Sequence, residues 1–135
     1  MKKAISIFLS VLFLLCLCAC GGDVSVVNIG TNSSQIYSDE ELQDAIDTAI
    51  DYFRKEFSGC RLTEIDYAGD EKNRSYMKES NKGMDITDII VLTSSFDVDA
   101  SGGDGSLNPN STYKNWLWIM QRENGGTWQH ADHGY

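Results

Sequence analysis

The residues best equipped for chemistry lie in a histidine-containing C-terminal end and an aspartate-rich loop. In Trp128-Gln129-His130-Ala131-Asp132-His133, strand alternation places His130 and Asp132 on one face with Trp128 and turns His133 the other way. Asp132 could then orient His130 as a general base beside an aromatic wall, whereas a metal site using both histidines would need a bend in the strand. No separate acid or nucleophile is recognisable, so a polar strand end at a rim is the favoured reading. In the loop, Asp97-Val98-Asp99-Ala100-Ser101-Gly102-Gly103-Asp104-Gly105 sets oxygen donors at alternate positions and glycine at the sixth, like the opening of a calcium loop. Asp97, Asp99, Ser101 and Asp104 are the candidate ligands. Asn108 stands where a bidentate Glu belongs, and the favoured alternative is a solvated connection between strands.

Trp116 and Trp118 fall on one face of a strand, with Trp128 across a hairpin. Together they offer a stacking surface for a sugar ring, or a core against a helix, which is the favoured reading. Cys60 is either a reactive or intermolecularly bridging thiol or a small buried hydrophobe at a strand start. Its only adjacent charge is Arg61, which favours the buried reading.

The elements that must position these residues are well marked. Ser38 followed by Glu41 is a capping box, with Tyr37 and Leu42 placed to form a hydrophobic staple. Leu42, Ala45, Ile46, Ala49, Ile50, Phe53 and Phe57 then recur at three- and four-residue steps, one apolar helical stripe. Ser58-Gly59 ends it, with Gly59 suited to a left-handed conformation. Residues 60–67, 88–98, 113–122 and 127–133 read as strands, the last two joined through the Asn124-Gly125-Gly126 turn. Residues 68–84 read as a polar connection with a possible helical turn around Tyr76 and Met77. The fold class is α+β, one long N-terminal helix packed on a curved antiparallel sheet of about four strands.

Twenty acidic residues against 11 basic ones give a formal charge of −9. That balance argues against binding a nucleic-acid backbone or anionic headgroups directly, and suits divalent cations or basic partners. The chain opens with Lys2 and Lys3 and then an apolar run over residues 4–17, the pattern of a secretory leader and too short for a membrane span. Loss of residues 1–19 would take the basic count from 11 to 9 and the formal charge to −11, leaving Cys60 as the only other cysteine beside Cys20. Residues 20–36, rich in Gly, Ser, Asn and Thr, read as a flexible tether. Their patch of Val24, Val26, Val27 and Ile29 could instead add an edge strand. Residues 37–135 form a single domain.

Leu17-Cys18-Ala19-Cys20, followed by Gly21-Gly22, resembles the lipobox of bacterial lipoproteins. The resemblance implies cleavage before Cys20 and a diacylglyceryl group on its sulfur; an ordinary cleaved signal is the alternative. A diacylglyceryl group supplies the two chains that stable anchoring takes. The order of one long helix and then a sheet closing on TYKNWLWIMQRENGGTWQHADHGY resembles the cystatin-like fold and its nuclear-transport-factor-like relatives, in which the sheet curls into a cone around the helix. With IVLTSSFDVDASGGDGSLNPNSTY, it also resembles small uncharacterised lipoproteins of Gram-positive gut anaerobes. These likenesses imply a lipid-anchored domain at the outer face of the bacterial plasma membrane. The resulting expectation is a binding or interaction module, with an envelope protein or small ligand as partner. A small cone-fold enzyme using His130 and Asp132, or a calcium-stabilised scaffold using residues 97–104, is the alternative.

Overall fold

Helix α1 (Asp39–Glu56) begins where side chains satisfy its first free amides. Ser38 Oγ accepts from the Glu41 N–H, and the Glu41 carboxylate accepts from the Ser38 N–H, the reciprocal pairing expected of a capping box. Acidic residues in its first turn and Arg54 and Lys55 in its last complement the helix dipole. Ser38→Ala is expected to cost about 1 kcal/mol. The measurement is a lowered denaturation midpoint at unchanged slope; no shift would mean that tertiary packing alone holds the first turn. The computed structural model describes residues 21–80 and 86–135, so Cys20 and the expected leader lie outside the described residues.

Leu42, Ala45, Ile46, Ala49 and Phe53 form the buried stripe of α1. The stripe lies across an open five-stranded sheet of β1 (Asn28–Ile29), β2 (Cys60–Tyr67), β3 (Asp88–Val98), β4 (Thr112–Arg122) and β5 (Gln129–Gly134), in the order β1-β2-β3-β4-β5. β1 runs parallel to β2, and the other neighbours are antiparallel. Leu62, Ile65, Ile90, Leu92, Phe96, Trp118 and Met120 supply the sheet's side of the core. Among the described residues, no helix is long and apolar enough to cross a membrane.

Among the described residues the α+β class stands, with three corrections: there are two helices rather than one, five strands rather than about four, and a mixed rather than a wholly antiparallel sheet. Helix α2 (Asp70–Ser80) has the sequence DEKNRSYMKES, without an apolar stripe, and its fully buried residue is the polar Asn73. Periodicity could not reveal it, because the helix docks through a side-chain amide. β1 is short and exposed; it is held by backbone pairing of Asn28 and Ile29 with Glu64 and Ile65.

Residues 21–36, expected as a tether, follow the edge of β2. The Gly22 N–H donates to the Arg54 carbonyl, Asp23 exchanges backbone bonds with Cys60 and Leu62, and the Gly30 N–H donates to Ile65. Asp70 gathers the end of the segment, accepting from Ser34 Oγ, the Gln35 N–H and Tyr67 Oη. Of the two readings of this stretch, the edge-strand alternative describes Asn28 and Ile29. Gly22 passes so close to α1 that a Cβ there would lie 2.5 Å from the Phe53 carbonyl oxygen, so the sequence Gly21-Gly22 has a packing reason.

β3 extends beyond its pairing with β2, which ends at Tyr67 opposite Leu92. Past that point the free edge is completed by other groups. The Ile89 N–H donates to Tyr37 Oη, Asn73 Nδ2 donates to the Ile89 carbonyl, and the Val91 N–H donates to Asn73 Oδ1. The Ala68 N–H donates to the Val91 carbonyl. Asn73 thus replaces one residue of a missing strand.

Candidate functional site: an aromatic cleft beside a histidine pair

Four parts of the chain meet at the C-terminal end of α1. The helix brings Tyr52, Glu56 and Phe57, the loop between β3 and β4 brings Gly103, Asp104, Ser106 and Leu107, and β4 and β5 bring Trp116 and His133. With Ser58 and Cys60 they line an open cleft of about 240 Å³. The position of the loop depends on Gly59, whose φ of +73° is accessible to glycine and whose Cβ position is 2.5 Å from Ser101 Oγ.

The histidines differ from the alternating expectation. Met120 pairs with His130 and Ile119 with Asp132, leaving Ala131 as an extra residue in β5, and Trp118 pairs with His133. This bulge turns His130 and His133 to one face and Asp132 to the other. His130 Nε2 and His133 Nδ1 meet at 2.9 Å. His130 lies flat on Tyr52, with ring centroids 3.7 Å apart, and His133 packs against Trp116, Trp118 and Phe57. Asp132 is exposed, and its carboxylate accepts from the His133 backbone N–H. The functional alternative, which joined the His130 and Asp132 side chains, gives way to a pair of His130 and His133. The bend that the sequence reading required for both histidines to meet is present, and Ala131 carries no glycine or proline signal that would have revealed it.

Burial holds both imidazoles below the ordinary value of 6.5, with the charge of His133 adding to the effect at His130 and Asp132 opposing it at both. A shared hydrogen bond also needs a neutral acceptor nitrogen, so it favours at least one neutral ring. The unfolded chain protonates first as the pH falls, so the pair's contribution is complete above the unfolded value and is lost on acidification through and below 6.5. The melting temperature should therefore fall between about pH 7 and pH 5, and the fall should shrink in His133→Leu. An unchanged slope in that variant would separate the acid sensitivity from the pair.

The carboxylates named as calcium ligands are each engaged in hydrogen bonds. Asp97 Oδ1 accepts from Thr112 Oγ1, Asp99 Oδ1 from the Ser101 N–H and hydroxyl, and Asp104 Oδ1 from the Ser106 N–H and hydroxyl. These local bonds hold the carboxyls of Asp99 and Asp104 below the usual range, the serine hydroxyl being the larger cause in each case. Among the described residues, no three His, Cys, Asp or Glu side chains are grouped to hold a metal ion.

Cys60 is buried at the start of β2, as the favoured reading of it expects. Its thiol is pushed up to about 11, first by burial and then by Asp99 and Asp104, so it is a poor nucleophile. Trp118 and Trp128 are core residues, whereas Trp116 is half-buried and forms a wall of the cleft. Trp118 and Trp128 fit the core reading, and Trp116 packs against that core at the edge of the cleft. The Trp116 indole Nε1 is buried without a hydrogen-bond partner among the described residues. Glu56, a cleft residue, lies outside the motifs that sequence reasoning singled out; it sits one helical turn after Tyr52, on the same side of α1.

In comparisons with known proteins, no protein-family model matches this chain, and no significant match was found among curated proteins or solved structures.

Proposed function

We propose that the chain is a lipid-anchored extracytoplasmic binding module whose ligand seat is the cleft lined by Tyr52, Phe57, Trp116 and His133. One observation carries this reading: aromatic rings from a helix and two strands meet at an open concavity with a few polar groups. Binding sites combine apolar walls with a small number of placed polar atoms in this way. The sequence around Cys20 supports the anchor, and α1 lying across an antiparallel β2–β5 supports kinship with cystatin-like lipoproteins. Gly21 and Gly22 run against the last turn of α1, the end of the helix that also holds the cleft. Lipid on the preceding residue would therefore join the chain near that end, leaving little slack between membrane and site.

The two halves of the proposal are tested separately. Wild-type chain expressed in a lipoprotein-processing bacterium should partition into the detergent phase, and Cys20→Ser should move to the aqueous phase. Aqueous partitioning of the wild type would refute the anchor. The seat is tested by screening small amines, saccharides and organic acids for changes in tryptophan fluorescence, with Trp116→Ala as the control. A ligand whose signal is lost in that variant supports the module. If no class of probe perturbs the wild type, the cleft reading fails.

A further inference from the structure

We infer that the cleft selects a small organic cation, a primary or quaternary ammonium with an apolar body. The inference rests on the reading of the cleft as the binding seat and adds the class of ligand. The cleft's lining contains two carboxyl side chains, Glu56 and Asp104, and neither lysine nor arginine. The basic residues nearest in sequence to Glu56 are engaged away from it, with Arg54 and Lys55 both paired to Asp51. Tyr52, Phe57 and Trp116 supply the aromatic walls. A ring face carries negative charge density, and a cation near several rings and a carboxylate gains from both.

The local field is consistent with this assignment. The Cys60 thiol, also on the lining, is pushed up first by burial and then by Asp99 and Asp104, a contribution of the sign expected beside carboxylates. An anionic ligand would meet Glu56 and Asp104 without a countercharge from the lining. A neutral sugar could stack on the rings and donate hydroxyl hydrogen bonds to the carboxylates, but only a cation also gains the attraction of full charge to carboxylates and ring faces. His133 bonds His130 through Nδ1 and burial holds it below the ordinary value of 6.5, which disfavours a positive charge there that would repel an ammonium group. Glu56 and Asp104 are both exposed at the cleft, so they can meet an entering ammonium group without first being stripped of water.

The test uses the full chain in neutral detergent, with tryptophan fluorescence and calorimetry as readouts. Three probes are compared: choline, its uncharged isostere in which carbon replaces the ammonium nitrogen, and methyl glucoside. Choline should bind about 5- to 30-fold more tightly than the isostere, the ratio that cation–π attraction allows, and more weakly as salt rises. Glu56→Gln and Asp104→Asn should each reduce choline affinity several-fold while leaving the isostere unchanged. Equal affinity for choline and the isostere, or indifference to both carboxylate variants, would overturn the cation assignment. Binding of methyl glucoside alone, lost in Trp116→Ala, would overturn it while preserving the binding module. Silence of all three probes would overturn the cation assignment; silence across the wider screen of amines, saccharides and acids would overturn the binding seat itself.

Discussion

Asn73→Ala should lower stability by about 2–5 kcal/mol, an unusually large effect for a residue on a polar helix. The side chain is fully buried. It receives the Val91 N–H and donates to the Ile89 carbonyl, both at 2.8 Å. Alanine would strand two buried backbone groups, each costing about 1–3 kcal/mol when unsatisfied. It would also detach α2 from the edge of β3, since this amide is the polar link between them. Urea denaturation is the measurement, and a reduced midpoint at constant slope is the expected result. Asn73→Asp should be worse than alanine at neutral pH, because one carboxylate oxygen would face the Ile89 carbonyl. A loss below about 1 kcal/mol for alanine would mean that water replaces the amide, and that the edge of β3 is accessible rather than sealed.

The second large effect is expected at Trp118. Its ring is fully buried, edge-on to Phe53 and Tyr52 and tilted against Phe57 and His133. Its indole N–H donates to Ser94 Oγ at 2.8 Å, and the Ser94 hydroxyl donates to the Trp116 carbonyl. Trp118→Ala should therefore cost about 3–5 kcal/mol through lost burial and an incompletely filled cavity. It should also disturb the cleft, because Tyr52, Phe57 and His133 all rest on this ring. Trp118→Phe keeps most of the apolar contact and loses the indole donor, so it should cost less and preserve the cleft. The two variants are compared by denaturation and by the acid dependence of melting. If alanine left that acid dependence intact, the histidine pair would be positioned by β5 and Tyr52 alone.

Other features divide their effects between stability and placement. Arg122 bonds Glu41 of the capping box and Asp88 of β3, and its guanidinium lies 4.4 Å from the Trp128 ring centroid. Tyr37 meets Trp128 edge-on from the other side of the helix entry. The same Glu41 that caps α1 locally is therefore fixed to β3 and β4 through Arg122. A helix start marked in the sequence becomes the joint between helix and sheet.

What could be read from the sequence was local. The capping box at Ser38 and Glu41, the stripe from Leu42 to Phe57 and the left-handed Gly59 each depend on residues within a few positions of one another. The run of β-forming residues along β3 and the alternation along β4 are similarly local, which is why these strands were legible. The leader and Cys20 belong to the same category as sequence expectations, since processing signals are linear.

The tertiary structure decided whatever depends on partners distant in the chain. Asn73 makes α2 part of the fold because β3 outruns β2, and no periodicity within DEKNRSYMKES encodes that. The bulge at Ala131 brings His133 level with His130 and takes Asp132 away, although alternation alone pairs His130 with Asp132. Glu56 reaches the cleft only because the loop carrying Asp104 folds back over the end of α1. A strand's sequence fixes which residues alternate, but the register of its partner decides where the alternation breaks. In this protein that break determines which side chains face the candidate site.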